Sequence, residues 1–101
     1  MRISLIFFWL LSFSVMAETE VTTTYESKLR PTPCSSSYLI DVPKDQRIIA
    51  IDKKMVWSSA LGTYWYQVQY KGKTGWISDQ NTDKYSQPKF DRSRMGRGCN
   101  Y

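Results

Sequence analysis

The sequence predicts a small all-β domain, and three observations carry that prediction. Residues 64–78 read YWYQVQYKGKTGWIS, two alternating runs around a Lys71-Gly72 turn. Residues 29–41 read LRPTPCSSSYLID, where Pro31 and Pro33 rule out a helix or a central strand. After residue 17 no stretch carries the apolar period of a helix, and no internal repeat is present.

Taken in order, the chain opens with the pattern of a secretory signal peptide. Met1 and Arg2 supply a charged start, residues 3–16 (ISLIFFWLLSFSVM) an apolar run, and Val15-Met16-Ala17 the small residues before a cut. The run is shorter than the ~20 residues of a membrane span. The alternative is an uncleaved N-terminal anchor. No Cys follows the cut, which argues against a lipid anchor. Cleavage after Ala17 leaves residues 18–101, with no further hydrophobic span. That chain carries 13 basic and 9 acidic residues, a net charge of +4. A domain of this size buries a modest core and often needs a covalent staple. Cys34 and Cys99 are its two cysteines, and export places them where disulfides persist. They are expected to pair with each other; free thiols or pairing with another chain are the alternatives. Two Cys without a single His do not make an ordinary structural zinc site, and no cofactor is implied.

Residues 18–26 (ETEVTTTYE) are β-branched and weakly alternating, which reads as a first strand at a sheet edge. Residues 29–41 form a loop that regains apolar character at Tyr38, Leu39 and Ile40. A polar turn with Pro43 follows, then a short apolar strand at 47–52 (RIIAID). Met55, Val56 and Trp57 either continue the sheet, with 58–63 as the turn, or belong to an irregular loop in which Trp57 covers one end of the fold. In the hairpin, a two-residue loop ending in Gly suits a tight turn, since Gly tolerates positive φ. That loop pairs Tyr70 with Lys73, Val68 with Gly75 and Tyr66 with Ile77. Tyr66, Val68 and Ile77 then share the core face, while Trp65, Gln67 and Trp76 share the other, solvent-side face. A one-residue slip would turn Ile77 outward. Residues 79–101 are polar and basic with little aliphatic content, and are expected to be mostly irregular and tied back through Cys99. The domain reading is therefore signal peptide at 1–17, β domain at 18–80 and tail at 81–101.

The hairpin resembles that of bacterial SH3 (SH3b) domains, which typically reads Trp-Tyr-x-Val-x-Tyr-x-Gly-x-x-Gly-Trp-Val; here Ile77 replaces the last Val. The earlier loop resembles a second SH3b signature through Leu29, Arg30, Pro33, Ser35, Ser36, Ser37, Tyr38 and Ile40. It departs by lacking the Gly before Pro33 and by carrying Cys34 where Ser is common. Lys44-Asp45 stands where Lys-Gly is usual. The resemblance covers 21–78 and implies a small SH3-like β-barrel. It also implies a cell-wall-targeting role with the peptide or glycan of peptidoglycan as the ligand class. The tail stretch KFDRSRMGRGC is faintly similar to the opening of secreted HNH-type nuclease domains, which would make the chain the SH3-like remnant of such a nuclease.

Catalysis is hard to assemble from these residues. Without His there is no ordinary general base near neutral pH, and neither a Ser-His-Asp nor a Cys-His arrangement can form within the chain. No glycine-rich phosphate loop is present. The chain therefore reads as non-catalytic. Binding suits it better, because aromatic side chains give large contact area at low entropic cost. The candidate ligand-binding residues are Trp65 and Trp76 on the solvent-side face, Tyr38 and Tyr64 near the loops that border the SH3 groove, and Arg30. Each Trp could instead pack against a neighbouring loop or the tail. The net positive charge serves solubility or draws anionic envelope polymers. Nucleic acid is not an expected partner, since the basic residues are dispersed and the chain is exported. Expected partners are peptidoglycan or an envelope protein, the latter making the chain an accessory or inhibitor of an envelope enzyme. The expected location is the periplasm or the outside of the cell.

Overall fold

A computed structural model describes residues 19–101; the signal-peptide reading of residues 1–17 lies outside the described residues. The chain is mostly β, built from antiparallel sheets. Its longest elements are strand β4 (Arg47–Ser58) and strand β5 (Leu61–Tyr70), joined by Ser59-Ala60. β5 continues through Lys71-Gly72 into β6 (Lys73–Ser78). Lys71 (φ 50°) and Gly72 (φ 78°) both adopt the left-handed conformation. Two consecutive positive φ values match the right-handed twist of the flanking strands. The register follows: Tyr66 pairs with Ile77, Gln67 with Trp76, Val68 with Gly75 and Tyr70 with Lys73. This is the pairing expected from the alternation.

The first strand is shorter than the sequence suggested. β1 (Thr19–Thr22) pairs with β4, and the chain then bends before β2 (Ser27–Leu29). β2 pairs with β3 (Ile40–Val42) as a separate two-stranded sheet. β1 lies at one end of the order β1-β4-β5-β6, so it is an edge strand as expected. The core forms where the two sheets meet. Leu29 and Val42 from β2-β3 join Val21, Ile48, Ala50, Tyr66, Val68 and Ile77. Burial of this cluster is the main favourable term available to so small a domain.

The stretch at 53–58 continues the sheet. A bulge between Ala50 and Asp52 places one extra residue, Ile51, on β4. A bulge of this kind reverses which residues face which side. Before it, Ile48 and Ala50 face the core. Beyond it, Lys53, Met55 and Trp57 lie on the side of Tyr64 and Tyr66, while Val56 and Ser58 lie on the side of Trp65. Trp57 sits opposite Gly62, where a Cβ would come 2.9 Å from the indole.

Among the described residues the strand ladder does not close into a continuous barrel. Two single-residue bridges span its ends: Arg30 with Trp76 beside β6, and Thr23 with Thr82 beside β1. After β6 a short 3-10 turn (Asp79–Asn81) starts on Ser78, whose Oγ accepts from the Gln80 N–H. The buried Asp79 carboxylate accepts from Gln80 Nε2 at 2.8 Å and from Ser86 Oγ at 2.9 Å, which shapes the exit of the chain.

The tail is more ordered than its composition suggested. β7 (Lys89–Phe90) adds to β5 at Leu61 and Gly62, and β8 (Cys99–Asn100) adds to β4 at Trp57 and Ser58. Between them, a second 3-10 turn (Arg92–Arg94) crosses the tip of the β4-β5 hairpin. Asp91 N–H donates to Ala60 O at 2.9 Å, and Gly96 N–H to Ser59 Oγ at 3.0 Å. Arg94 stacks 4.4 Å from the Trp57 ring. Backbone pairing, not aliphatic burial, docks this segment, and it covers both edges of the hairpin tip, a common way of blunting exposed strands. Cys34 and Cys99 form a disulfide with Cα atoms 5.7 Å apart, fastening the tail to the 31–37 loop. Among the described residues no helix is long and apolar enough to cross a membrane.

Candidate functional site

The face of β4-β5-β6 turned away from the core carries Val56, Thr63, Trp65, Gln67, Trp76 and Ser78. Their placement follows from the bulge in β4 and the register of the hairpin. Trp65 pairs with Ser78 across the hairpin and is half-buried. Two adjoining cavities meet at these two residues.

The first cavity, about 280 Å³, is lined by Val56, Ser58, Thr63, Trp65, Ser78 and Gln80. Pro33 and the Cys34–Cys99 disulfide form its rim, so the staple is part of the wall. Among the described residues no charged side chain lines it. The second, about 340 Å³, is lined by Glu26, Ser27, Lys28, Arg30 and Asn81 with Trp65 and Ser78. These volumes lie near the lower end of small-molecule sites, ~300 Å³ upward.

Arg30 is held in place from two directions. Its backbone exchanges hydrogen bonds with Trp76 at 3.0 and 2.7 Å, and its Nη1 donates to Ser35 O at 3.1 Å and Ser37 O at 3.2 Å. Lys28 is engaged with Asp41 at 2.6 Å, and that hydrogen bond raises the lysine above its ordinary range. Its ammonium also lies 4.2 Å from the Tyr38 ring centroid.

The five candidate residues are thus partly brought together. Trp65 and Arg30 share the second cavity. Tyr38 stays close by, 47% exposed and stacked by Lys28, but lines neither cavity. Trp76 lies on the expected face of the hairpin, yet it is not solvent-exposed: it is 7% accessible and lines neither cavity. The cause is the Arg30 bridge, which brings the start of the 31–37 loop against β6 beside it. Tyr64 lies on the opposite face of the sheet, where Lys53 Nζ sits 4.2 Å from its ring centroid.

Sequence reasoning did not single out Thr63, Ser78, Gln80, Glu26, Lys28 or Asn81. Extending the alternation of Trp65 by one step towards the N-terminus reaches Thr63, and the cross-strand partner of Trp65 is Ser78. Gln80 and Asn81 arrive through the 3-10 turn, and Glu26 and Lys28 through β2, for which the local pattern gives no signal. Among the described residues no group of three or more His, Cys, Asp or Glu side chains could hold a metal ion. Comparison with protein-family models, curated proteins and solved structures finds no match to this chain.

Proposed function

We propose that this chain is an exported, non-catalytic SH3-like binding module of the SH3b type, which recognises cell-wall peptide or glycan through the groove at Trp65. The observation that carries the reading is the position of Trp65, half-buried between two cavities and bordered by the loop that holds Arg30. Support for the SH3-like architecture comes from the antiparallel arrangement of β1 to β6 in two packed sheets, and from Leu29 and Arg30 of the signature lying beside β6. A disulfide is compatible with an oxidising compartment outside the cytoplasm. Binding of the oxidised domain to purified sacculi tests the reading. Retention on sacculi that falls with Trp65→Ala, while the melting temperature holds, is the expected result. Passage of the wild-type domain through sacculi without retention would contradict it.

A second reading is an accessory or inhibitor of an envelope enzyme. It is favoured by the cross-strand pair Leu61 and Phe90, 53% and 64% exposed at the hairpin tip, which offers apolar surface to a protein partner. Capture of a single protein from soluble envelope extract, lost on Phe90→Ser and kept on Trp65→Ala, would favour this reading over the first.

A further inference from the structure

The two cavities that share Trp65 and Ser78 differ in chemistry. The first offers the Trp65 surface with hydroxyls from Ser58, Thr63 and Ser78. Gln80 completes it: its amide nitrogen is engaged by Asp79 and Ser86 O, which leaves its carbonyl oxygen to accept. The Ser78 oxygen already accepts from the Gln80 N–H, which leaves its hydroxyl proton to donate. An aromatic surface ringed by neutral donors and acceptors matches a sugar ring, apolar on its faces and hydroxylated at its edge.

The second cavity is charged with both signs. Among the described residues the ion pairs are Lys28 with Asp41, Arg47 with Glu20 and Arg94 with Asp91. Glu26 and Arg30 line the cavity and take part in none of them. Arg30 keeps Nε and Nη2 as donors after Nη1 is spent on the loop carbonyls, enough to hold a carboxylate by two hydrogen bonds. Glu26 in the same cavity favours an ammonium group.

We propose that the groove takes one ligand in two parts: an uncharged sugar ring in the first cavity, and in the second a peptide substituent of that sugar bearing both a carboxylate and an ammonium group. The proposal rests on the cell-wall reading and narrows it. Trp65 contacts both parts, Arg30 holds the carboxylate and Glu26 the ammonium.

Calorimetry on the oxidised domain tests this with four probes: whole sacculi, soluble disaccharide-peptides cut from them, the same peptides freed of sugar, and neutral N-acetylglucosamine oligomers. The disaccharide-peptide is expected to bind at least about tenfold more tightly than either half. Glu26→Gln should weaken it about tenfold, the loss of one charge-assisted hydrogen bond, and Arg30→Gln, which loses two, at least about tenfold. Glu26→Gln should leave binding of the neutral oligomer unchanged, whereas Trp65→Ala weakens both probes. Arg30→Lys, which keeps the charge, should recover part of the loss, separating ligand contact from a loosened loop. Sugar-free peptide binding as tightly as the whole fragment would overturn the proposal. So would charge variants that bind the fragment like wild type, or sacculi retained with no soluble fragment bound. Failure of the wild-type domain to bind sacculi overturns the cell-wall reading itself.

Discussion

Replacing Gly75 with Ala probes the contact that builds the groove. Gly75 is buried in β6 opposite Val68, and its φ is not in the left-handed region, so Ala is allowed by the backbone. Space is the obstacle. A Cβ there would lie 2.7 Å from Arg30 O and 2.8 Å from Leu29 Cγ. The oxygen is backbone and accepts from the Trp76 N–H, so it cannot move without opening the Arg30–Trp76 bridge. Overpacking a tight site costs about 1–3 kcal/mol. Weakening the two bridge hydrogen bonds adds about 0.5–1.5 kcal/mol each. Ala returns about 0.4–1 kcal/mol by restricting the unfolded chain. Together these give a net loss of about 1–5 kcal/mol, centred near ~3 kcal/mol, which lowers the melting temperature by roughly 12–24 °C for a domain of this size. Urea denaturation of the oxidised protein measures it. Gly62→Ala is the control: its neighbours, Met55 Sδ and the Trp57 ring at 2.9 Å, are side chains that can yield. A Gly75→Ala protein as stable as wild type, or less affected than Gly62→Ala, would refute the reasoning.

Two further outcomes are expected. Reduction, or Cys34→Ala with Cys99→Ala, should cost about 2–5 kcal/mol, because the 65-residue separation closes a long loop in the unfolded chain; alkylation of both cysteines in native, unreduced protein would count against the bond. Asp79→Ala should cost about 2–3 kcal/mol in urea melts, since it removes the two hydrogen bonds that the buried carboxylate accepts from Gln80 and Ser86; an unchanged midpoint would show that these bonds contribute nothing to stability.

The central hairpin was legible from sequence because its information is local. Strict alternation and a two-residue Lys71-Gly72 loop leave one register that buries Tyr66, Val68 and Ile77 together. The exposure of Trp76 was not legible. Its cover is brought up by Arg30, more than forty positions earlier, and alternation reports the face of a sheet but not what lies upon it. The same limit hid the role of Tyr64: the bulge at Ile51 decides which residues of 53–58 join it, and no local pattern marks that bulge. The tail is largely irregular and tied back through Cys99 as expected, and only its short strand pairings were not legible. Low aliphatic content argues against a core, yet residues 89–100 dock through strand pairing, the Asp91 cap and the Arg94–Trp57 stack. Within the groove, Trp65 and Arg30 were legible as residue types suited to recognition. The neutral lining of Thr63, Ser78 and Gln80 becomes apparent only when the 3-10 turn and the disulfide are folded around them.

The most direct measurement is of the indole N–H resonances of Trp57, Trp65 and Trp76 in the oxidised domain, followed while soluble cell-wall fragments are added. Trp65 lies in the groove, Trp76 beneath the Arg30 bridge, and Trp57 on the far face under Arg94. A large shift of the Trp65 signal, a small one at Trp76 and none at Trp57 is the expected result. Shifts at Trp57 with Trp65 unmoved would place the binding surface on the opposite side of the sheet and contradict the assignment of the groove.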